Sequence, residues 1–312
     1  MKCEKPYAIF MGFACVDEYY KMDHWMSKGE KANAEYIGSV AGGMIANANC
    51  VAAGYGIKTY AFDIKSTDPA IDFLFEDLKQ NNVDVSKVVR LDDVKDGKCL
   101  IYQFPDGDRS IVCIVSENPK YHLNDEQLEF FCNAEYVYGT IGFNGMLDNP
   151  KHLLNLLKEN NVKVFFDVES NYYCDDWRDY VRCAYTVSMN EFGLSTFCSN
   201  ENMSEEDLIK EMFKLGINNL LLTLGSNGCR LVTRNGIDIS LPANKVNVVD
   251  CTGAGDTMNA TFMACDMLGY DSAYALEFSN CAAAMSITKN GPRGGVTTIE
   301  KVEEFIKKKS LQ

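Results

Sequence analysis

The chain has no surplus of basic residues. Thirty Lys and Arg stand against 44 Asp and Glu, for a formal net charge of −14. Binding a phosphate backbone needs clustered positive charge, so nucleic acid is not expected as a partner. No apolar run is long enough to cross a bilayer, so no membrane partner is expected either. There are no repeats and no low-complexity linker. Thirteen cysteines are present, yet no Cys-x-x-Cys pair occurs, and the nearest two, Cys174 and Cys183, stand nine positions apart. That is no familiar zinc spacing, and an odd count in a long chain argues against a disulfide framework. Cys50, Cys113, Cys265 and Cys281 sit in apolar runs. They are expected to be small buried hydrophobes in a reducing, cytoplasmic setting. Near the start, Lys2 and Lys5 precede an apolar run from Tyr7 to Val16 with the outline of a short signal peptide. Pro6 and Gly12 interrupt it and Asp17-Glu18 follow at once, which speaks against secretion.

What is present has the pattern of an α/β protein of ordinary globular composition. Strand-like runs at Tyr7–Phe13, Lys58–Phe62, Tyr136–Tyr138, Val162–Asp167, Thr186–Met189 and Asn219–Thr223 alternate with helical ones, among them Asp125–Cys132, Lys151–Glu159 and Glu205–Leu215. Such alternation predicts a mostly parallel sheet covered by helices on both faces. Ligands then bind beyond the carboxyl ends of the strands. Two segments break the alternation. Lys98–Phe104 and Arg109–Val115 flank the hairpin turn Pro105-Asp106-Gly107-Asp108, and Lys31–Val40 adds a further strand. At the C-terminus, Thr297 and Glu300 predict a capping box for a helix with the buried stripe Ile299, Val302, Phe305 and Ile306. Lys307-Lys308-Lys309 would complement the negative end of that helix.

The most informative stretch is Asp250-Cys251-Thr252-Gly253-Ala254-Gly255-Asp256. Val246, Val248 and Val249 before it predict a strand. After it Ala254, Met258, Phe262, Cys265 and Leu268 mark one helical face, and Gly269 stops the pattern. Asp256 therefore falls in the first turn of a helix, where backbone N–H groups and the helix dipole favour an anion. An anion pocket with a carboxylate inside it suits phosphoryl transfer. The amides hold charge on phosphate oxygens, and the carboxylate takes the proton of an attacking hydroxyl. The same positive helix end is expected to depress the pKa of Asp256.

This stretch closely resembles the C-terminal signature of the ribokinase-like (PfkB) carbohydrate kinase family. Ala41-Gly42-Gly43-Met44-Ile45-Ala46-Asn47-Ala48 resembles the N-terminal Gly-Gly motif of that family, about 200 residues earlier and in the family's order. The resemblance extends over essentially the whole chain. It implies a single ribokinase-like domain, a three-layer sandwich with a mostly parallel central sheet. A small β lid would be built from segments at about 13–40 and 95–115, and Tyr7 would begin the first strand of the fold. The lid would close over the acceptor and exclude water.

Carried over residue by residue, the resemblance makes Asp256 the base and Gly253, Ala254 and Gly255 the anion hole. Asp17 would grip sugar hydroxyls with two acceptor oxygens, beside Gly42, Gly43 and Asn47. Thr223-Leu224-Gly225-Ser226-Asn227-Gly228 resembles the ATP loop, giving Thr223, Gly225 and Gly228 as nucleotide contacts. Asn280 would lie on the adenine wall. Asp250 and Thr252, with later members near Ser286 and Gly291, would belong to a potassium-type site. Two departures stand out. Cys15 replaces an asparagine often found two positions before the aspartate. Asn190-Glu191-Phe192-Gly193 keeps the asparagine of an Asn-x-x-Glu motif but has Gly193 where the glutamate that helps organise Mg2+ is expected.

The implied function is ATP- and magnesium-dependent phosphorylation of a hydroxyl of a small sugar. Asp167-Val168-Glu169-Ser170-Asn171, with Trp177 beyond, is distantly similar to fructokinase-like and ketodeoxygluconate-kinase-like segments and favours a sugar or sugar acid. A nucleoside kinase is the alternative, with Tyr36 and Tyr102 as candidate lid aromatics. A non-catalytic sugar-binding regulator of the same fold is a third reading, which Gly193 favours. The resemblance leaves open a homodimer through the lid or a covered monomer.

Overall fold

The computed structural model describes residues 6–12, 14–105, 109–169 and 173–309. The turn residues Asp106, Gly107 and Asp108, and Ser170 and Asn171, lie outside them. The strands are β1 (Tyr7–Met11), β2 (Cys15–Lys21), β3 (Glu35–Gly42), β4 (Lys58–Phe62), β5 (Ile64–Ser66), β6 (Val89–Leu91), β7 (Lys98–Gln103), β8 (Arg109–Ile114), β9 (Tyr136–Gly139), β10 (Lys163–Val168), β11 (Thr186–Asn190), β12 (Asn219–Thr223), β13 (Cys229–Thr233) and β14 (Asp238–Leu241). The helices are α1 (Met44–Gly54), α2 (Asp72–Gln80), α3 (Asp125–Cys132), α4 (Pro150–Glu159), α5 (Trp177–Val181), α6 (Glu191–Glu201), α7 (Glu205–Leu215), α8 (Ala254–Met267), α9 (Ser272–Ser286) and α10 (Ile299–Lys309).

The main sheet has the order β14-β13-β12-β11-β10-β9-β1-β4. It is parallel from β4 through β12 and antiparallel over β12–β13–β14. Burial on both faces explains the near-continuous apolar strands. The period of two divides their side chains between layers. Ile9, Met11, Val164 and Phe166 pack with α3 to α7. Ala8, Phe10, Phe165 and Leu221 pack with α1, α8, α9 and α10. This is a three-layer sandwich. From β1 the chain goes to β4 on one side and later to β9 on the other, so a crevice opens at the carboxyl ends of the strands.

A second sheet of four strands, in the order β3-β2-β7-β8, stands apart from the first. It contains both segments that break the sequence alternation. The third strand is shifted from the expected Lys31–Val40 to Glu35–Gly42, so Gly42 ends a strand and only Gly43 caps α1.

Three expectations are corrected. Val246, Val248 and Val249 do not form a strand. Their segment has no regular structure, and Val248 and Val249 are exposed. Its amides at 249 and 250 pair with the Ile287 carbonyl rather than a neighbouring strand. Helix α8 is not amphipathic: Thr257 to Cys265 are all buried, because it is packed between α1 and α9, while Leu268 is exposed. The cap of α10 also differs. Thr298, not Thr297, bonds the Glu300 carboxylate, and the Thr297 hydroxyl is buried without a partner.

Candidate active site

The loop from Asp250 to Gly253 brings α8 to the crevice. Gly253 adopts φ +78°, and a Cβ there would lie 2.6 Å from the Pro292 carbonyl oxygen, so only glycine fits. The next residues start α8, whose first-turn amides have no intrahelical acceptor. Gly255 is open: a Cβ added there would meet nothing within 4 Å. Gly253, Ala254, Gly255 and Asp256 all line a cleft of about 490 Å³. That size falls within the usual range of small-molecule sites.

Asp256 accepts a 2.6 Å hydrogen bond from Asn47 Nδ2 on α1. Asn47 Oδ1 in turn accepts from Arg293, whose Nε and Nη2 reach Asp77 Oδ2 at 3.0 and 2.7 Å. Asn47 is therefore a buried link between Asp256 and a cation as well as a cleft residue. The pKa of Asp256 is not depressed. Burial, then the charges of Asp167 and Glu169, push it up to about 8, against the lowering effects of Asn47 and Arg293. Desolvation and like charge outweigh the helix end because the carboxylate sits in the cleft wall. Asp167 is itself buried at the end of β10 and accepts from Tyr138 Oη at 2.7 Å.

At the opposite wall lies Asp17, on β2 of the small sheet and 6% exposed. Burial raises its pKa despite the Cys15 thiol and the nearby Arg293. Gly42 serves Asp17 rather than the cleft. A Cβ at 42 would come within 1.9 Å of Asp17 Oδ2. Gly43 and Asn47 line the cleft and Gly42 does not. Around Asp17 the small sheet presents Cys15, Cys99, Ile101, Ile111 and Cys113, and Arg109. Tyr36 and Tyr102 are not among the cleft residues. Tyr102 stacks with Tyr20 and meets Trp25 edge-on instead.

The third wall follows β11 and β12. Asn190, Thr223, Gly225, Gly228 and Asn280 all line the cleft. Gly228 has φ +98°, and a Cβ there would sit 1.9 Å from the Leu241 carbonyl oxygen. Asn190 caps α6 through its Oδ1, which accepts from Gly193 N at 2.7 Å. A side chain at 193 would meet the Val168 carbonyl at 2.7 Å, which accounts for the glycine. Asn280 Nδ2 donates to the Pro242 carbonyl at 2.9 Å.

Asp250 and Thr252 form a hydrogen-bonded turn. Asp250 Oδ1 accepts from Thr252 N and Oγ1 at 2.8 and 2.7 Å and from Arg109 Nη1 at 3.3 Å, and Oδ2 accepts from Gly291 N at 3.0 Å. Ser286 Oγ donates to the Ala283 carbonyl. These contacts hold the Asp250 carboxylate within the turn.

Sequence reasoning missed Arg109, Arg293 and the role of Glu169. Arg293 lies in Gly291-Pro292-Arg293-Gly294-Gly295, a glycine-rich run that could have drawn notice. Glu169 follows β10 and lines the cleft. Burial and Asp167 push its pKa up to about 7. Nothing in the sequence pairs Arg109 with Asp250, 141 positions away.

Comparison with known proteins agrees with this architecture. The pfkB family carbohydrate kinase model matches residues 11–299. Ribokinase of Staphylococcus aureus (strain COL) is 23% identical over 307 residues, covering 95% of this chain and 98% of its own. Aminoimidazole riboside kinase of Salmonella typhimurium is 26% identical over 289 residues, covering 86% and 89%. The structure of Arabidopsis thaliana ribokinase complexed with ribose and ATP has the same fold, with a TM-score of 0.82 at 23% identity over 97% of this chain and 99% of that one. With a family match over nearly its whole length and the ribokinase fold beneath it, the chain belongs to the pfkB family of carbohydrate kinases, phosphotransferases that act on an alcohol.

Proposed function

We propose that this kinase transfers the γ-phosphoryl group of ATP to a hydroxyl of a small sugar or sugar derivative. The observation that carries the reading is Asp256 in the first turn of α8, facing the cleft that also holds Asp17 and the Thr223–Gly228 loop. The acceptor lies against Asp17 and Asn47, and the nucleotide lies along Thr223, Gly225, Gly228, Asn190 and Asn280. Asp256 takes the hydroxyl proton as the acceptor oxygen bonds to phosphorus and the bond to the β-phosphate oxygen breaks. The amides of Gly253 to Asp256 hold the transferring oxygens. A pKa of about 8 makes Asp256 a stronger base than an ordinary aspartate. Arg109 ties the small sheet to the Asp250 turn, consistent with a lid in a closed position.

Magnesium, when bound, would neutralise charge on the nucleotide phosphates. With no room for a glutamate at 193, Glu169 and Glu191 are the carboxylates of that wall suited to hold it through water. No lid residue lining the cleft is aromatic among those described, which favours a sugar over a nucleoside base needing a stacking partner. A homodimer through the small sheet is supported by Tyr36, Ile37 and Val40, exposed on its edge strand β3.

The test is ADP release across a panel of sugars, sugar acids and nucleosides. We expect turnover with a sugar or sugar acid. Acceptor-dependent thermal stabilisation without ADP would instead mark a binding protein. A nucleoside as the best acceptor would overturn the sugar assignment.

A further inference from the structure

Three cysteines on the acceptor wall take no part in the chemistry above. Cys99 on β7 and Cys113 on β8 face each other directly across an antiparallel pair. On its other side β7 runs parallel to β2, with Cys99 in register with Asp17. Cys15 Sγ lies 3.8 Å from Cys99 Sγ and 3.3 Å from Asp17 Oδ1. Cys99 Sγ lies 3.6 Å from Cys113 Sγ. The ligand atoms of Cys15, Asp17 and Cys99 all fall within 4.8 Å of one another.

Those spacings match a coordination polyhedron. A tetrahedral zinc ion with sulfur at ~2.3 Å and oxygen at ~2.0 Å places its ligands about 3.8 Å apart for S···S and about 3.5 Å for S···O. The Cys15–Cys99 and Cys15–Asp17 edges already have nearly those lengths, and the Cys99–Asp17 edge lies within 4.8 Å. A metal can therefore replace thiol protons without moving the strands. The strands are also held by ladder hydrogen bonds, so the ligands are preorganised.

We propose that Cys15, Cys99 and Asp17 form a binding site for a thiophilic divalent cation, with zinc as the probe. Two thiol protons pass to the solvent as the two S–Zn bonds form, and Asp17 binds as a carboxylate. The fourth position faces the cleft and is filled by water or, after a side-chain rotation, by Cys113. The ion occupies the carboxylate that grips the acceptor, so it competes with the acceptor and not with nucleotide. That consequence rests on the acceptor placement proposed above; metal binding itself does not. The site is distinct from the magnesium wall at Glu169 and Glu191, whose ligands are all oxygen.

The experiment is a Co2+ titration of the reduced full-length protein without nucleotide, followed by displacement with zinc. The expected result is a thiolate-to-cobalt charge-transfer band with tetrahedral visible bands, saturating at one ion per chain and bleached by zinc. Cys99→Ala should lower the affinity at least tenfold, as should Asp17→Asn, while Cys183→Ser keeps it. ADP-induced thermal stabilisation of each variant reports that it is folded. Absence of the band, or a band unchanged in both Cys99→Ala and Asp17→Asn, overturns the site. Zinc is further expected to raise the KM for the acceptor and leave nucleotide binding unchanged. A bound ion that leaves the acceptor KM unaltered would keep the metal site and refute the placement of the acceptor at Asp17.

Discussion

The two ends of the cleft are built in opposite ways. The end proposed to hold phosphate uses backbone. Its parts are the turn into α8 and the loop after β12, each a short contiguous run with glycines held at positive φ. The end proposed to hold the acceptor uses side chains delivered by the strands of a second sheet. Cys15, Asp17, Cys99 and Arg109 come from β2, β7 and β8, which meet only through strand pairing. A backbone site is fixed by local conformation, whereas a side-chain site is fixed by register. The first tolerates few residue types. The second can change its ligand by changing one residue and keep its fold.

Turnover gives the sharpest form of this contrast. Asp256→Asn should reduce the rate of ADP release about 10²–10⁴-fold while nucleotide still stabilises the protein. In the wild type, kcat/KM should rise with pH through the region near 8, because only the ionised carboxylate accepts the proton. A flat profile from pH 6 to 9, with Asp256→Asn still active, would remove the base from the mechanism.

Stability separates the glycines at the phosphate end. Gly228→Ala and Gly253→Ala place a Cβ against backbone carbonyls at positive φ. Each should cost roughly 1–3 kcal/mol or more in chemical denaturation. Gly255→Ala, with open space around it, should change the melting temperature little and act on the nucleotide kinetics alone. Equal destabilisation by all three would mean the turn is not the rigid element described.

At the acceptor end the expected effects are smaller. Arg109→Ala removes a part-exposed ion pair worth roughly 0.2–1 kcal/mol. It should raise the KM for the acceptor several-fold with an almost unchanged melting temperature. A changed nucleotide KM alone would place Arg109 on the other side of the comparison.

A further effect depends on pH. Asp256 has a pKa raised from the ordinary aspartate value to about 8, so between those values the folded protein keeps a proton that the unfolded chain has lost. Its contribution to stability is present at acid pH and is lost as pH rises through that window. Asp256→Asn should therefore melt at a temperature progressively above the wild type as pH increases from 5 to 9. Parallel melting curves would show the carboxylate to be solvated.

Much of the main sheet was legible. Lys58–Phe62 and Asn219–Thr223 coincide with β4 and β12, and Glu205–Leu215 with α7, because buried parallel strands and capped helices leave strong local patterns. The valines at 246, 248 and 249 misled because a short apolar run has no period of its own, and here the amides at 249 and 250 pair with the Ile287 carbonyl instead of a strand. Helix α8 was found, but its burial on every side was not, since that depends on α1 and α9 as neighbours.

The sequence by itself determined the family, the order of layers and the glycine turns. Each of these is written in contiguous residues whose backbone or periodicity allows few alternatives. The tertiary structure alone decided that Asp256 is a raised rather than a depressed acid, that Arg293 reaches it through Asn47, and that the Cys99 thiol meets Cys15 beside Asp17. Those properties depend on desolvation and distance between groups far apart in the chain, and neither quantity exists before the sheets are packed.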